Sequence, residues 1–190
     1  MASWQAYVGI VAGVLALVPC IFYIRGMVRG KTKPDRVTWW VLTLVSGMIT
    51  ASYFAAGARE TVWFPAAYTL SFFTIAVFSL KYGEGDFVLH TLDRICLAGA
   101  LISALVWWST SIPFLSLVMN ICTEFIGLMP TIIKAYKRPQ TEDSTAWVVA
   151  TIASAVNLLA VSVWIPTVAL YPVYVFVSNA VVLYPIIRKK

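Results

Sequence analysis

The stretch RICLAGALISALVWWS, from Arg94 to Ser109, decides the fold. Alone it is a short apolar run, near the lower limit for a helix crossing a hydrocarbon layer of about 30 Å. Its weight comes from what it does to the charges around it. Counted as a helix, it is the fourth of seven apolar segments, at about 5–24, 37–57, 62–80, 94–109, 112–134, 144–163 and 165–187. The connections after helices 1, 3 and 5 then share one side with the C-terminal tail. That side holds Arg25, Arg29, Lys31, Lys33, Arg36, Lys81, Arg94, Lys134, Lys137, Arg138, Arg188, Lys189 and Lys190, which is 13 of the 14 basic residues. Only Arg59 falls opposite. Without helix 4 the same residues scatter over both sides. Positive residues collect on the cytoplasmic side of membrane proteins. The expectation is therefore an all-α, multi-pass protein of the cell membrane with its N-terminus outside and its C-terminus in the cytoplasm.

Composition agrees. Of 190 residues, 61% are hydrophobic and 12% charged, against about 45–50% and about 25% in a soluble domain. The net charge of +6 does not point to nucleic acid, because the basic residues lie in short connections between apolar runs. Cys20, Cys96 and Cys122 sit inside apolar segments without metal or disulfide spacing, as small buried hydrophobes do. No basic leader precedes the first segment, which is expected to stay in the protein. The tryptophans, and most tyrosines with them, lie near helix ends, where an interfacial belt places them.

The first and last three helices read as copies. Val18-Pro19-Cys20-Ile21 in helix 1 corresponds to Met129-Pro130-Thr131-Ile132 in helix 5. Each is followed by a basic connection, then by Thr38-Trp39-Trp40 or Thr145-Ala146-Trp147. Helix 3 opens on Trp63-Phe64-Pro65 and helix 7 on Trp164-Ile165-Pro166. Four matches in one order indicate duplication. A three-helix unit reverses direction, and helix 4 restores it, so the halves are expected to be parallel repeats about an axis along the membrane normal. The units are residues 1–83, a linker helix in 84–110, and residues 111–190.

With this 3+1+3 plan and its paired prolines, the chain resembles the PQ-loop/SWEET-type membrane proteins. The stretch Pro130-Thr131-Ile132-Ile133-Lys134-Ala135-Tyr136-Lys137 is similar to the family's PQ-x-x-K-x-Y-K motif, with Thr131 in place of Gln. The stretches Lys33-Pro34-Asp35-Arg36-Val37-Thr38-Trp39-Trp40 and Ser79-Leu80-Lys81-Tyr82-Gly83-Glu84 resemble uncharacterised bacterial and archaeal members. The resemblance implies two bundles flanking a central pathway, Pro19 and Pro130 as hinges for alternating access, and a solute held near mid-membrane. It also implies an Asn on the third helix of each repeat at that site; Asn179 matches that place, while the first repeat has Ser71 or a neighbour there, so the pair is incomplete.

Among the eight acidic residues, seven are assigned to loops and Glu124 to the middle of helix 5. An ionised carboxylate in hydrocarbon is costly, so such a residue marks a cavity or a partner. The alternative is a protonated Glu124 holding two helices together. No basic residue shares its depth, and a carboxyl without a cation suits reversible protonation. Asn120, Thr123, Glu124 and Gly127 fall on one face of helix 5. Thr43, Ser46, Gly47, Thr50 and Tyr53 form a stripe on helix 2, and Thr151, Ser154 and Asn157 one on helix 6, with Thr50 aligned to Asn157. Ser71 and Thr74 on helix 3, and Ser178 and Asn179 on helix 7, complete the polar set. The substrate-binding set is thus Thr50, Tyr53, Ser71, Asn120, Glu124, Asn157 and Asn179, with Glu124 as the proton-coupling residue. For the Gly, Ser and Thr residues close helix packing is the preferred reading, and for Asn120, Asn157 and Asn179, amides that need partners, pocket and packing stand even.

His90 lies near Asp86 and Asp93 and is expected to be a solvated loop residue. No catalytic constellation, metal spacing or phosphate loop is present, so no enzyme, cofactor or metal site is expected. The expected activity is transport of a sugar, nucleoside, amino acid or vitamin by alternating access. The alternative is a non-transporting receptor or assembly subunit on the same fold. The expected partners are the lipid bilayer and a small solute, without nucleic acid; assembly into a homo-oligomer stays open.

Overall fold

A computed structural model describes residues 3–30, 34–83, 87–142 and 144–188. Lys31, Lys33, Lys189 and Lys190 of the charge pattern, Glu84 of the second motif and Asp86 beside His90 lie outside the described residues. Among those described, the chain is all-helical, with seven α-helices and no strand: α1 Trp4–Val28, α2 Arg36–Ala55, α3 Trp63–Tyr82, α4 Thr91–Thr110, α5 Pro113–Lys137, α6 Ser144–Leu159 and α7 Pro166–Arg188. A single 3-10 turn, Pro139–Thr141, lies between α5 and α6. All but α6 are long and apolar enough to cross a membrane, at 20 to 25 residues each. The protein is a multi-pass membrane protein.

Two lengths differ from expectation. Helix 4 is not short. It begins at Thr91, because the Asp93 carboxylate accepts the His90 backbone N–H (3.0 Å) in its first turn. The short helix is α6, with 16 residues. It closes in i→i−3 bonds from Ala160 to Asn157 and from Val161 to Leu158, which tighten and end it. The basic residues Lys134 and Lys137, expected at a loop boundary, sit in the last turn of α5, where positive charge complements the helix dipole. Asp93, expected in a loop, is a buried helical residue.

The packing follows lipid-solvent logic. Large apolar side chains face outward: Ile10, Val11, Val14 and Ile21 on α1, and Leu101, Ile102, Leu105 and Trp108 on α4. Small residues face inward, Gly9, Ala12, Gly13, Ala16 and Cys20 on α1, and Cys96, Ala100 and Ser103 on α4. Lipid tails are as apolar as leucine, so close backbone approach drives association between helices. A Cβ added at Gly9 would overlap the Glu60 carbonyl oxygen, and one at Gly13 would press on Trp63.

Contacts between helices run in a definite order. α3 packs on both α1 and α2, and α7 packs on both α5 and α6. α1 lies along α6, and α5 lies along α2. α4 packs on α5 and α2. One end of the bundle gathers the start of α1, the α2–α3 connection and the α6–α7 connection, joined by a hydrogen bond from Ser162 to Glu60 (3.0 Å). The other, basic end gathers the starts of α2 and α4 and the end of α3. There the Thr38 hydroxyl donates to Asp93 (2.9 Å), His90 Nε2 lies 3.6 Å from Asp35, and Arg36 donates to the Gly83 carbonyl (3.0 Å). At the same end Lys134 pairs with Glu142 at 2.9 Å, and Trp147 donates to that carboxylate (3.1 Å).

Candidate functional site

The interior holds a cluster of polar and aromatic side chains that runs from Glu124 at mid-depth to Tyr53 in the last turn of α2. It starts from Glu124, halfway along α5. The Tyr174 side chain, from α7, lies beside its carboxyl. One carboxyl oxygen, Oε2, is buried with no hydrogen-bond partner among the described residues. Tyr171 lies one turn before Tyr174, with ring centroids 6.2 Å apart, and Tyr53 of α2 packs on Tyr171 at 5.4 Å. Tyr68 of α3 lies beside the Asn179 side chain of α7, and its ring sits 4.8 Å from Phe64 and 5.6 Å from Phe72. Asn179 in turn donates to Ser154 Oγ and the Ala150 carbonyl of α6, both at 3.3 Å. Side chains of α3 and α7 thus lie around one carboxylate of α5, with Tyr53 of α2 behind Tyr171 and Ser154 of α6 joined through Asn179.

Tyr53 has a second task. Pro172 lacks the N–H that would bond the carbonyl four residues earlier, on Val168. The Tyr53 hydroxyl donates to that Val168 carbonyl, and the Thr61 hydroxyl lies 2.6 Å from the Tyr53 oxygen. A side chain from α2 therefore closes the gap that a proline opens in α7.

The seven residues expected at the site divide. Tyr53, Glu124 and Asn179 belong to the cluster. Ser71 lies one turn along α3 from Tyr68, and Asn157 one turn along α6 from Ser154. Both are buried, and the Ser71 hydroxyl and both Asn157 amide atoms lack a partner among the described residues. Thr50 is placed elsewhere: its hydroxyl donates to the Ser46 carbonyl (2.9 Å) and meets Thr69 at 3.0 Å, in the seam between α2 and α3. Asn120 is also elsewhere: it accepts from Ser103 of α4 (2.8 Å) and donates to the Ser116 carbonyl (2.9 Å).

The expected polar face of α5 is therefore two faces. Thr123 is packed so closely on Gly99 of α4 that a Cβ at Gly99 would meet its side chain, and Gly127 faces Cys96. These residues and Asn120 seat α4. Glu124 is about 100° around the helix from Thr123, which turns it toward α7. Pro19 and Pro130 stand inside α1 and α5 as expected, where each removes a bond to the carbonyl four residues earlier. Pro172 and Pro185 do the same in α7.

The residues missed from sequence are Tyr68, Tyr171 and Tyr174, assigned by default to an interfacial belt. The available signal was depth. Tyr68 stands more than a turn inside α3, and Tyr171, Tyr174 and Ser178 recur at helical spacing inside α7. Cys20 and Cys96 are buried free thiols, Cys122 is an exposed one, and no group of His, Cys, Asp or Glu fit to hold a metal occurs among the described residues. No protein-family model, no curated protein and no solved structure matches this chain.

Proposed function

We propose that the protein is a cell-membrane transporter of PQ-loop/SWEET-type architecture, carrying a small polar solute by alternating access between two three-helix bundles. The bundles are residues 1–83 and 111–190, related as parallel repeats and joined by α4, with the N-terminus outside and the C-terminus in the cytoplasm. The packing order supports the repeat. In each half the third helix sits against the other two, and the contact of α1 with α6 has its counterpart in α5 with α2. The spacing supports it too. Asp35 and Glu142 stand the same distance apart in sequence as Thr38 and Thr145, or Trp40 and Trp147, and both carboxylates anchor the start of the next helix.

The observation that carries the function is the set of orphaned polar atoms. Ser71 stands one turn from Tyr68 and Asn157 one turn from Ser154, one in each proposed bundle, and the Glu124 carboxyl lies beside Tyr174 with Tyr68 nearby. Buried polar groups find partners in folded proteins. A bound solute or water supplies the missing ones. The outer end is bridged by Tyr53 to Val168 and Glu60 to Ser162, contacts that opening toward the outside would break. Pro19 and Pro130 leave the Leu15 and Ile126 carbonyls without their helical partner, giving α1 and α5 points at which to bend.

Uptake into proteoliposomes of labelled sugars, nucleosides and amino acids tests this. One class is expected to enter, with Asn157→Ala lowering uptake at least about tenfold and with flux that responds to a pH gradient through Glu124. No flux of any class, together with a stable co-purifying protein, would support the receptor or assembly role instead.

A further inference from the structure

We propose that the Glu124 site takes an organic ammonium cation, and that the cation and a proton exchange on the same carboxyl. The inference rests on the transporter assignment for its movement across the membrane; the preference for a cation stands apart from it. The argument starts from charge. Oε2 of Glu124 is buried without a partner. No described lysine or arginine lies in a helix interior between its terminal turns. None of the described residues therefore supplies a cation for this carboxylate. A neutral sugar offers hydroxyl donors but leaves the charge uncompensated, and an anion is repelled.

The surroundings favour one kind of positive group. The titratable groups around the carboxyl are phenols, Tyr174 and Tyr171 on α7 and Tyr68 on α3, with Tyr53 behind Tyr171 on α2; the thiols of Cys122, which is exposed, and Cys96, bonded to the Thr123 carbonyl, lie off the Glu124 face of α5. Tyrosine rings present a negative face that attracts weakly hydrated cations, and rings gathered around a carboxylate suit alkylammonium better than sodium or potassium. When the cation enters, one proton leaves the carboxyl; when the proton returns, the cation loses its counter-charge and leaves. One positive charge replaces another, so the exchange is balanced.

The test uses the full-length protein in detergent, with methylammonium, tetramethylammonium, choline and tetraethylammonium chlorides as probes and sodium chloride and glucose as controls at matched ionic strength. At least one ammonium should raise the melting temperature, more at pH 8 than at pH 5, because protonation removes the carboxylate. Glu124→Gln should weaken that binding at least about tenfold, and Glu124→Asp should keep part of it. The pH dependence in the wild-type protein needs no variant and so survives a variant that fails to fold. Stabilisation by none of the four, by glucose alone, or equally in Glu124→Gln overturns the proposal. The binding cation is then offered to proteoliposomes with an acidic interior. Glu124-dependent binding without uptake keeps the cation site and overturns the transporter assignment. Uptake of a neutral solute by a protein that binds no ammonium does the reverse.

Discussion

Asn120 and Asn157 are both fully buried amides in apolar helices, yet they predict opposite outcomes. Asn120 has its carbonyl and amide engaged between α4 and α5. Replacing it with Ala removes the Ser103 bond that ties α4 to α5, together with the bond to the Ser116 carbonyl, and should cost about 1–3 kcal/mol in thermal unfolding while leaving solute affinity unchanged. Asn157 has no partner among the described residues. Asn157→Ala should leave stability equal or higher, since an unmade bond is not lost, and should reduce uptake. Tyr53→Phe is a third case. It bares the Val168 carbonyl beside Pro172 and should lower stability by about 1–3 kcal/mol, with a larger fraction of molecules open at the N-terminal end in a spin-label distance measurement. Sequence found Glu124 because charge in an apolar run is conspicuous, and Asn179 because an amide must have a partner. It could not find Tyr68, Tyr171 and Tyr174, because tyrosine serves equally at an interface and in an interior, and only the approach of α3, α5 and α7 separates the two.

Helix boundaries were largely readable at the level of the element, since unbroken apolar runs and prolines at Pro113 and Pro166 bound them. What sequence left open was which face meets which neighbour. On α5 the i, i+3, i+4, i+7 pattern joined Asn120 and Glu124, but two different helices pack on the two sides of that arc. The inward face of α1 was legible only as small residues; its tightness became clear from the backbone of Glu60 and Trp63 lying against Gly9 and Gly13. Gly13→Leu should push α1 off α3 and lower the melting temperature by several degrees, an effect of about 1–3 kcal/mol. Pro130→Ala should restore the bond to Ile126, raise or preserve the melting temperature, and slow transport more than it alters solute affinity, as a stiffened hinge would.

Across the whole molecule, the charge count called for seven helices, and the described residues form seven. It gave no view of how the first three helices meet the last three. That emerged from α1 on α6 and α5 on α2, and from the hydrogen bonds of Tyr53 to Val168 and Ser162 to Glu60. The proposed transport requires a mid-depth site between the two bundles to open to each side in turn. It is tested most directly in a chain whose Cys20, Cys96 and Cys122 are replaced by Ala and whose Ser71 is replaced by Cys, labelled with a membrane-impermeant thiol reagent from one face at a time. The thiol should react from both faces, and cross-linking Glu60→Cys to Ser162→Cys should abolish reaction from the N-terminal face alone. Reaction from neither face, or from one face regardless of the cross-link, would contradict it.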